Sequence, residues 1–236
     1  MHLITSHLNT DFDSLASMIA AWKLYPDAVI CPPGSMTRHV KDFVNHCGHL
    51  WNLQKPSKIP IDQVTLMVVV DARFRSRIGP FAALAGRQDV EVHIYDHHPP
   101  TIDDIPANKM VYEPLGAAVT LLVELLWKKR LEISPEEATL FAIGIYADTG
   151  ALTYEATTER DILAIARLRQ MGADMSKILS RLDIFMPGND HKLLDAMVEN
   201  ASESYINGAK VIFSWAQSEE YIEGVSIFVN KLKVTI

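Results

Sequence analysis

Carboxylates and imidazoles gather in this 236-residue chain in four short clusters: His7-Leu-Asn-Thr-Asp11-Phe-Asp13, the lone Asp71, Asp96-His97-His98, and Asp148-Thr-Gly150. Such groups at converging loop ends would build a cage rich in oxygen and nitrogen, with a surplus of negative charge that calls for cations. Imidazole and carboxylate donors without thiolates suit Mn²⁺, Fe²⁺, Co²⁺ or Zn²⁺, whereas all-oxygen sites suit Mg²⁺ better. Two such ions about 3.5–4 Å apart activate water and clamp a phosphoryl oxygen, the two-metal route to phosphate-ester hydrolysis.

The elements around the clusters supply the geometry. Met1–Thr5, Leu66–Val70 and Val90–Tyr95 are apolar runs that read as strands, and the first three clusters follow their ends. Leu66–Val70, five consecutive apolar residues, fits a strand buried on both faces. Ala28–Cys31 is a further strand, stopped by Pro32-Pro33-Gly34. Helices are expected at Ser14–Leu24, Thr37–Cys47, Gly116–Arg130, Pro135–Ile145, Glu159–Met171, Met175–Leu182 and Asp190–Ala201. Ser134 and Glu137 form a capping box for the fourth of them. The alternation predicts an α/β fold, a mostly parallel sheet with helices on both faces, followed by a helical connector. Groups at the carboxyl ends of parallel strands face the crevice where such sheets bind ligands.

Each cluster also has a plainer reading. Asp11 and Asp13, two apart, share a face in extended backbone and could serve different ions. Alternatively Asp13 caps a helix starting at Ser14 and His7 is an ordinary loop residue. Asp71 ends a buried strand, so its carboxylate must be paired or metal-bound; Arg73, Arg75 and Arg77 are the candidate pairs. Neighbouring side chains in extended backbone diverge, so His97 and His98 should do different jobs, one as ligand and one toward substrate. Asp148 could equally be a surface-turn aspartate. The arginines after Asp71 read either as phosphate contacts, Arg77 foremost, or as a solvated basic turn. Glu113-Pro-Leu-Gly116 opens a helix whose N-terminus could accept a phosphate, or simply punctuates the chain. His46-Cys47-x-His49 matches no common zinc spacing.

Composition excludes several classes. With 48% hydrophobic and 22% charged residues, the chain is of ordinary globular type. No apolar stretch approaches the roughly 20 residues of a membrane span, and residues 1–20 lack a signal peptide's pattern. Two cysteines, Cys31 and Cys47, form no CxxC pair and suit a reducing compartment, so a cytoplasmic location is expected. A net charge of −7 argues against strong binding of duplex DNA. It leaves room for a small phosphorylated partner.

Taken in order and spacing over residues 1 to roughly 150, the clusters resemble the four motifs of the DHH phosphoesterases, the Asp96-His97-His98 triplet being the most specific. That family includes RecJ exonucleases, oligoribonuclease/pAp phosphatases, cyclic-di-AMP phosphodiesterases and, more distantly, type II inorganic pyrophosphatases. The resemblance implies His7, Asp11 and Asp71 on one metal and Asp13, Asp71, His97 and Asp148 on the other, with Asp71 bridging. It implies His98 facing the scissile phosphate, Asp96 orienting an imidazole from behind, and manganese as the metal. The expected activity is hydrolysis of a phosphodiester or phosphomonoester in a small nucleotide or short oligonucleotide.

After residue 201 the pattern changes. Ser204–Trp215 reads as a hairpin turning at Asn207-Gly208, which supplies the positive φ angles of a type I′ turn. Residues 1–200 are therefore expected to form the phosphoesterase domain with its connector. Residues 201–236 resemble the opening of a DHH-associated domain, with no Gly-Gly-Gly-His loop before Ile236, and are expected to be incomplete. The chain also resembles the DHH module beside CBS domains and a poly(A)-polymerase-like nucleotidyltransferase. The alternative function is thus a nucleotide-binding or regulatory module of a larger nucleotidyltransferase. Oligomeric state is left open by these residues, a dimer being compatible.

Overall fold

A computed structural model describes residues 1–177 and 188–218, with residues 229 and 232. It divides the chain into two units, Met1–Leu182 and Asp183–Ile236.

The first unit is built on five strands: β1 (His2–Thr5), β2 (Ala28–Ile30), β3 (Leu66–Val70), β4 (Glu91–Asp96) and β5 (Lys109–Tyr112). Their order is β2-β1-β3-β4-β5 and every pair is parallel. The order reverses beside β1, so the crevice at the carboxyl ends of β1 and β3 is the topological switch point. Register brings the strand ends level: Thr5 pairs with Val69, Val70 with Tyr95, and Asp96 with Tyr112. Residues 7, 71 and 97 consequently leave the sheet side by side.

β3 shows why the sheet lies at the centre of the unit. Leu66, Val68 and Val70 point into one apolar cluster while Met67 and Val69 point into the other. Both faces are covered, and each fully buried side chain contributes about 1.5–3 kcal/mol relative to exposure. The two covers differ in kind. The first cluster contains residues of α1 (Phe12–Leu24), α2 (Arg38–Cys47), α3 (Ala118–Lys128), α4 (Pro135–Asp148) and α5 (Glu159–Gln170). The second is closed by Ile78, Phe81 and Leu84 from short 3₁₀ turns and the loops around them. The sequence pattern missed β5, a four-residue edge strand with two exposed residues.

Close helix packing sets where the loops end. Gly144 of α4 lies against α1, where an added Cβ would meet the Ala16 Cβ at 2.9 Å and the Phe12 carbonyl at 3.1 Å. That contact lets the last residue of α4, Asp148, arrive beside the start of α1. The capping box of Ser134 and Glu137 forms as expected.

In the second unit, α6 (Gly188–Glu199) precedes a hairpin of β6 (Ser202–Ile206) and β7 (Ala209–Phe213). Asn207 and Gly208 have φ of 52° and 84°, the expected turn. Within this unit α6 is tied to the hairpin. The Ser214 hydroxyl donates to the Met197 carbonyl (2.5 Å), and the Asn200 side chain donates to the Trp215 carbonyl (3.2 Å). The helix expected at Met175–Leu182 runs beyond the described residues.

Candidate metal centre

β1 delivers His7 into the crevice, where it is buried. Its Nδ1 donates to the Leu8 carbonyl at 2.7 Å, which turns Nε2 inward. Asp11 caps α1, its Oδ1 accepting from the Ser14 amide at 3.0 Å. Its Oδ2 lies 3.6 Å from His7 Nε2. The cap is therefore Asp11 and not Asp13, and the helix starts at Phe12, two residues earlier than the pattern suggested. Asp13 sits in the first helical turn, so the extended-backbone argument for its direction does not apply. Its buried carboxylate points at α3: Oδ2 accepts from the Ala118 amide (2.7 Å) and Oδ1 from the Val119 amide (2.8 Å).

This arrangement settles the N-terminus of α3. Asp13 takes two of its free amides, and Asp161 takes the Gly116 amide (2.9 Å) and the Thr120 hydroxyl (2.6 Å). Buried carboxylates occupy the place where the sequence offered a phosphate site.

β3 delivers Asp71, which has a left-handed backbone (φ 53°) that aspartate tolerates better than most residues. Oδ2 accepts from the Ser14 hydroxyl at 2.6 Å and lies 3.3 Å from His7 Nε2. Oδ1 lies 3.5 Å from His97 Nε2 and 3.8 Å from His98 Nδ1. No arginine pairs with Asp71 among the described residues. Arg73 is buried and turned toward Asp96 and Asp104, while Arg77 is exposed with no ion pair among the described residues. The Arg77 carbonyl accepts from the Leu8 amide at 2.7 Å, which places its segment beside the His7 loop.

β4 ends in the histidine pair. His97 Nδ1 donates to the Leu115 carbonyl at 2.8 Å, leaving Nε2 within 3.3 Å of Asp148 Oδ2. That Nε2 is buried and has no hydrogen-bond partner among the described residues. His98 is about half exposed, and its Nδ1 lies 2.8 Å from Oδ1 of the fully buried Asp96. Asp148 ends α4 at a turn made by its successors. Gly150 has φ of 54°, and an added Cβ would strike the Tyr154 ring at 2.1 Å.

Ligand atoms of His7, Asp11 and Asp71 lie within 4.8 Å of one another, as do those of Asp13, His97 and Asp148, and those of Asp71, Asp96, His97 and His98. Sequence reasoning missed Ser14, whose hydroxyl contacts both His7 Nε2 (2.7 Å) and Asp71. Nothing in its type or position distinguishes it from other first-turn serines.

The charges are mutually strained. Burial works against the protonated His7 ring, yet Asp11 and Asp71 outweigh it and raise its pKa to about 10. For His97, burial is likewise overcome, chiefly by Asp71 and Asp13, and the pKa rises to about 11. Burial alone would raise Asp71, but the two imidazoles hold it well below the usual carboxylate range. Burial and then Asp71 push Asp148 up to about 7. Asp13 is pushed well above its ordinary value by burial and by Asp71 and Asp148, although the two α3 amides favour its ionised form. Divalent ions would relieve all these tensions. The orphaned His97 Nε2, with its opposite nitrogen already donating to a carbonyl, is the state of a metal-ligating imidazole. The donor set thus fits a divalent metal.

A parallel α/β sheet carrying imidazole and carboxylate donors at its switch point defines a domain of metal-binding type. Within that class the chain belongs to the DHH family, matching the family's N-terminal domain over residues 2–145. It is 33% identical to an A-adding tRNA nucleotidyltransferase of Geobacter sulfurreducens over 99% of this chain and 27% of that protein. It is 28% identical to a protein of Streptococcus mutans named "probable bifunctional oligoribonuclease and PAP phosphatase NrnA", over 90% of this chain and 66% of that protein. The chain spans about a quarter of the nucleotidyltransferase. Among solved structures, an exopolyphosphatase-related protein from Bacteroides fragilis shares the fold, with a TM-score of 0.67 and 17% identity over 85% of this chain and 61% of that one. No helix among the described residues is long and apolar enough to cross a membrane.

Proposed function

We propose that this chain hydrolyses phosphodiester or phosphomonoester bonds in small nucleotides or short oligonucleotides, using two divalent metal ions, preferentially manganese. The observation that carries this reading is Asp71, with one oxygen facing His7 and the other facing His97, whose Nε2 is orphaned. His7, Asp11 and Asp71 would hold one ion, and Asp13, Asp71, His97 and Asp148 the other. When bound, the metal pair supplies a nucleophile from water at neutral pH and Lewis-acid stabilisation of the phosphoryl oxygens.

The chain's own residues do the rest. Carbonyls of Leu8 and Leu115 take the Nδ1 protons of His7 and His97, so both rings offer Nε2. Asp96 holds the Nδ1 proton of His98, whose exposed side then presents Nε2 to a phosphoryl or leaving oxygen and can pass it a proton. Arg77, exposed beside the His7 loop, supplies a charge-assisted contact to a substrate phosphate. The family match and the 28% identity to an oligoribonuclease and PAP phosphatase support this reading. A cytoplasmic location and no strong binding of duplex DNA go with it.

A second reading follows from the nucleotidyltransferase relatives, which this chain matches over 99% and 94% of its length at 33% and 31% identity. The chain would then be a nucleotide-binding or regulatory module that turns over little. A manganese-dependent assay with diribonucleotides, pAp, cyclic di-AMP and pyrophosphate separates the two. Turnover of any of them establishes the hydrolase; binding without turnover establishes the module.

A further inference from the structure

Arg73 carries a buried charge that the metal-centre reading leaves without a task. Its side chain is 1% exposed, and a buried guanidinium is retained only with several well-placed partners. Nε makes only ion-pair contacts among the described residues, lying 2.9 Å from Asp104 Oδ2 and 3.8 Å from Asp96 Oδ2 without a hydrogen bond to either. One terminal nitrogen donates to the His98 carbonyl and the other reaches the Met110 sulfur at 3.5 Å. The Tyr112 ring lies below, 5.5 Å from the guanidinium carbon. The Asp104 loop is itself bound to the Arg73 backbone, the Ile105 amide donating to its carbonyl at 2.7 Å.

Asp96 completes the chain of contacts. Its Oδ1 accepts from the His97 amide (2.8 Å), the His98 amide (3.2 Å) and His98 Nδ1 (2.8 Å). Its other oxygen has no hydrogen-bonding partner among the described residues and faces Arg73. One guanidinium therefore restrains His98 twice, directly at its carbonyl and through Asp96 at its imidazole. We propose that Arg73 is a positioning residue that fixes the rotamer and tautomer of His98, so that Nε2 is presented to the reacting phosphoryl group. The proposal rests on the hydrolase reading above. A lysine keeps the charge but cannot span the carbonyl and two carboxylates with one ammonium group.

The test combines a double-mutant cycle with spectroscopy on the full chain. Arg73→Lys should lower kcat by about 10–100-fold, the range for residues that orient an active group, while KM and metal content stay near the parent values. In a His98→Ala background the same change should alter kcat by less than about twofold, because the two residues act as a unit. Losses that multiply independently would overturn the proposal. In ¹⁵N-histidine-labelled, magnesium-loaded protein, the parent should show His98 as the Nδ1–H tautomer, and Arg73→Lys should shift it toward a tautomer mixture. An unchanged His98 signal would overturn the proposal even if the parent turned over no substrate, an outcome that would count separately against the hydrolase reading. Should Arg73→Lys fail to fold, Asp104→Asn provides the same two readouts with a smaller expected change.

Discussion

His7 and His97 flank Asp71 on opposite sides, and the way each is held differs. Both give Nδ1 to a backbone carbonyl and turn Nε2 to the shared carboxylate. His7 uses the carbonyl of the next residue and shares its Nε2 with the Ser14 hydroxyl. His97 reaches the Leu115 carbonyl, eighteen positions away, and its Nε2 has no hydrogen-bond partner among the described residues. The His7 side is thus a locally wired pocket, in part satisfied without an ion. The His97 side is assembled from β4, α1 and α4 and leaves a buried nitrogen waiting for one. A buried polar nitrogen without a hydrogen-bond partner is costly, so the His97 side should depend more on metal for its stability.

Removing what the two sides share is the largest break. Asp71→Asn should cut hydrolysis on the order of 10³-fold, the scale of losing a principal electrostatic group, and lower manganese stoichiometry at both sites. Retained stoichiometry and rate would remove Asp71 from its bridging role. Next, His7→Ala and His97→Ala should each cost one ion and about 10²-fold or more in kcat. By differential scanning, the metal-induced rise in Tm should shrink more for His97→Ala than for His7→Ala; equal losses would erase the proposed asymmetry.

Ser14→Ala sharpens the comparison at smaller amplitude. Manganese affinity should fall about tenfold at the His7 site, as for residues that orient ligands, with the other site unaffected in a two-site titration.

Acidity tests both sides together in metal-free protein. A group whose pKa is raised by folding stabilises fully below its ordinary value and loses that contribution as pH rises through the folded value. For His7 and His97 the loss runs from 6.5 to about 10 and 11. For Asp148 it runs from 3.8 to about 7. Metal-free protein should therefore lose stability from these groups as pH climbs, whereas the gain on adding manganese should grow over the same climb because the ligands must shed protons. A metal-induced Tm shift that falls between pH 6 and 8 would contradict this.

What was readable in the sequence was whatever is local. Leu66–Val70 could be bounded because five apolar residues stop at a charge. Asn207-Gly208 located a turn because few other dipeptides provide two positive φ angles. The relations that complete the site are not local. Arg73, Arg75 and Arg77 look alike in sequence, yet Arg73 alone is buried, by partners 25 and 37 positions away. Asp13 looked like a helix cap and is one, but for α3, with α1 capped by Asp11. The helical cover of one sheet face and the 3₁₀ cover of the other follow from packing that no short window contains.

The double allegiance of Asp13 also orders events in time. Its bond to the Ala118 amide closes 105 residues of chain. Contacts of such separation pay the entropy of closing a long loop before they give anything back. A chain still emerging during synthesis would hold Asp13, Asp71 and Asp148 far apart, each fully hydrated and none in conflict with another. The crowding around Asp13, to which Asp148 contributes, is complete only when α3 and α4 dock, so capture of an ion on that side becomes a mark of completed folding rather than a step toward it.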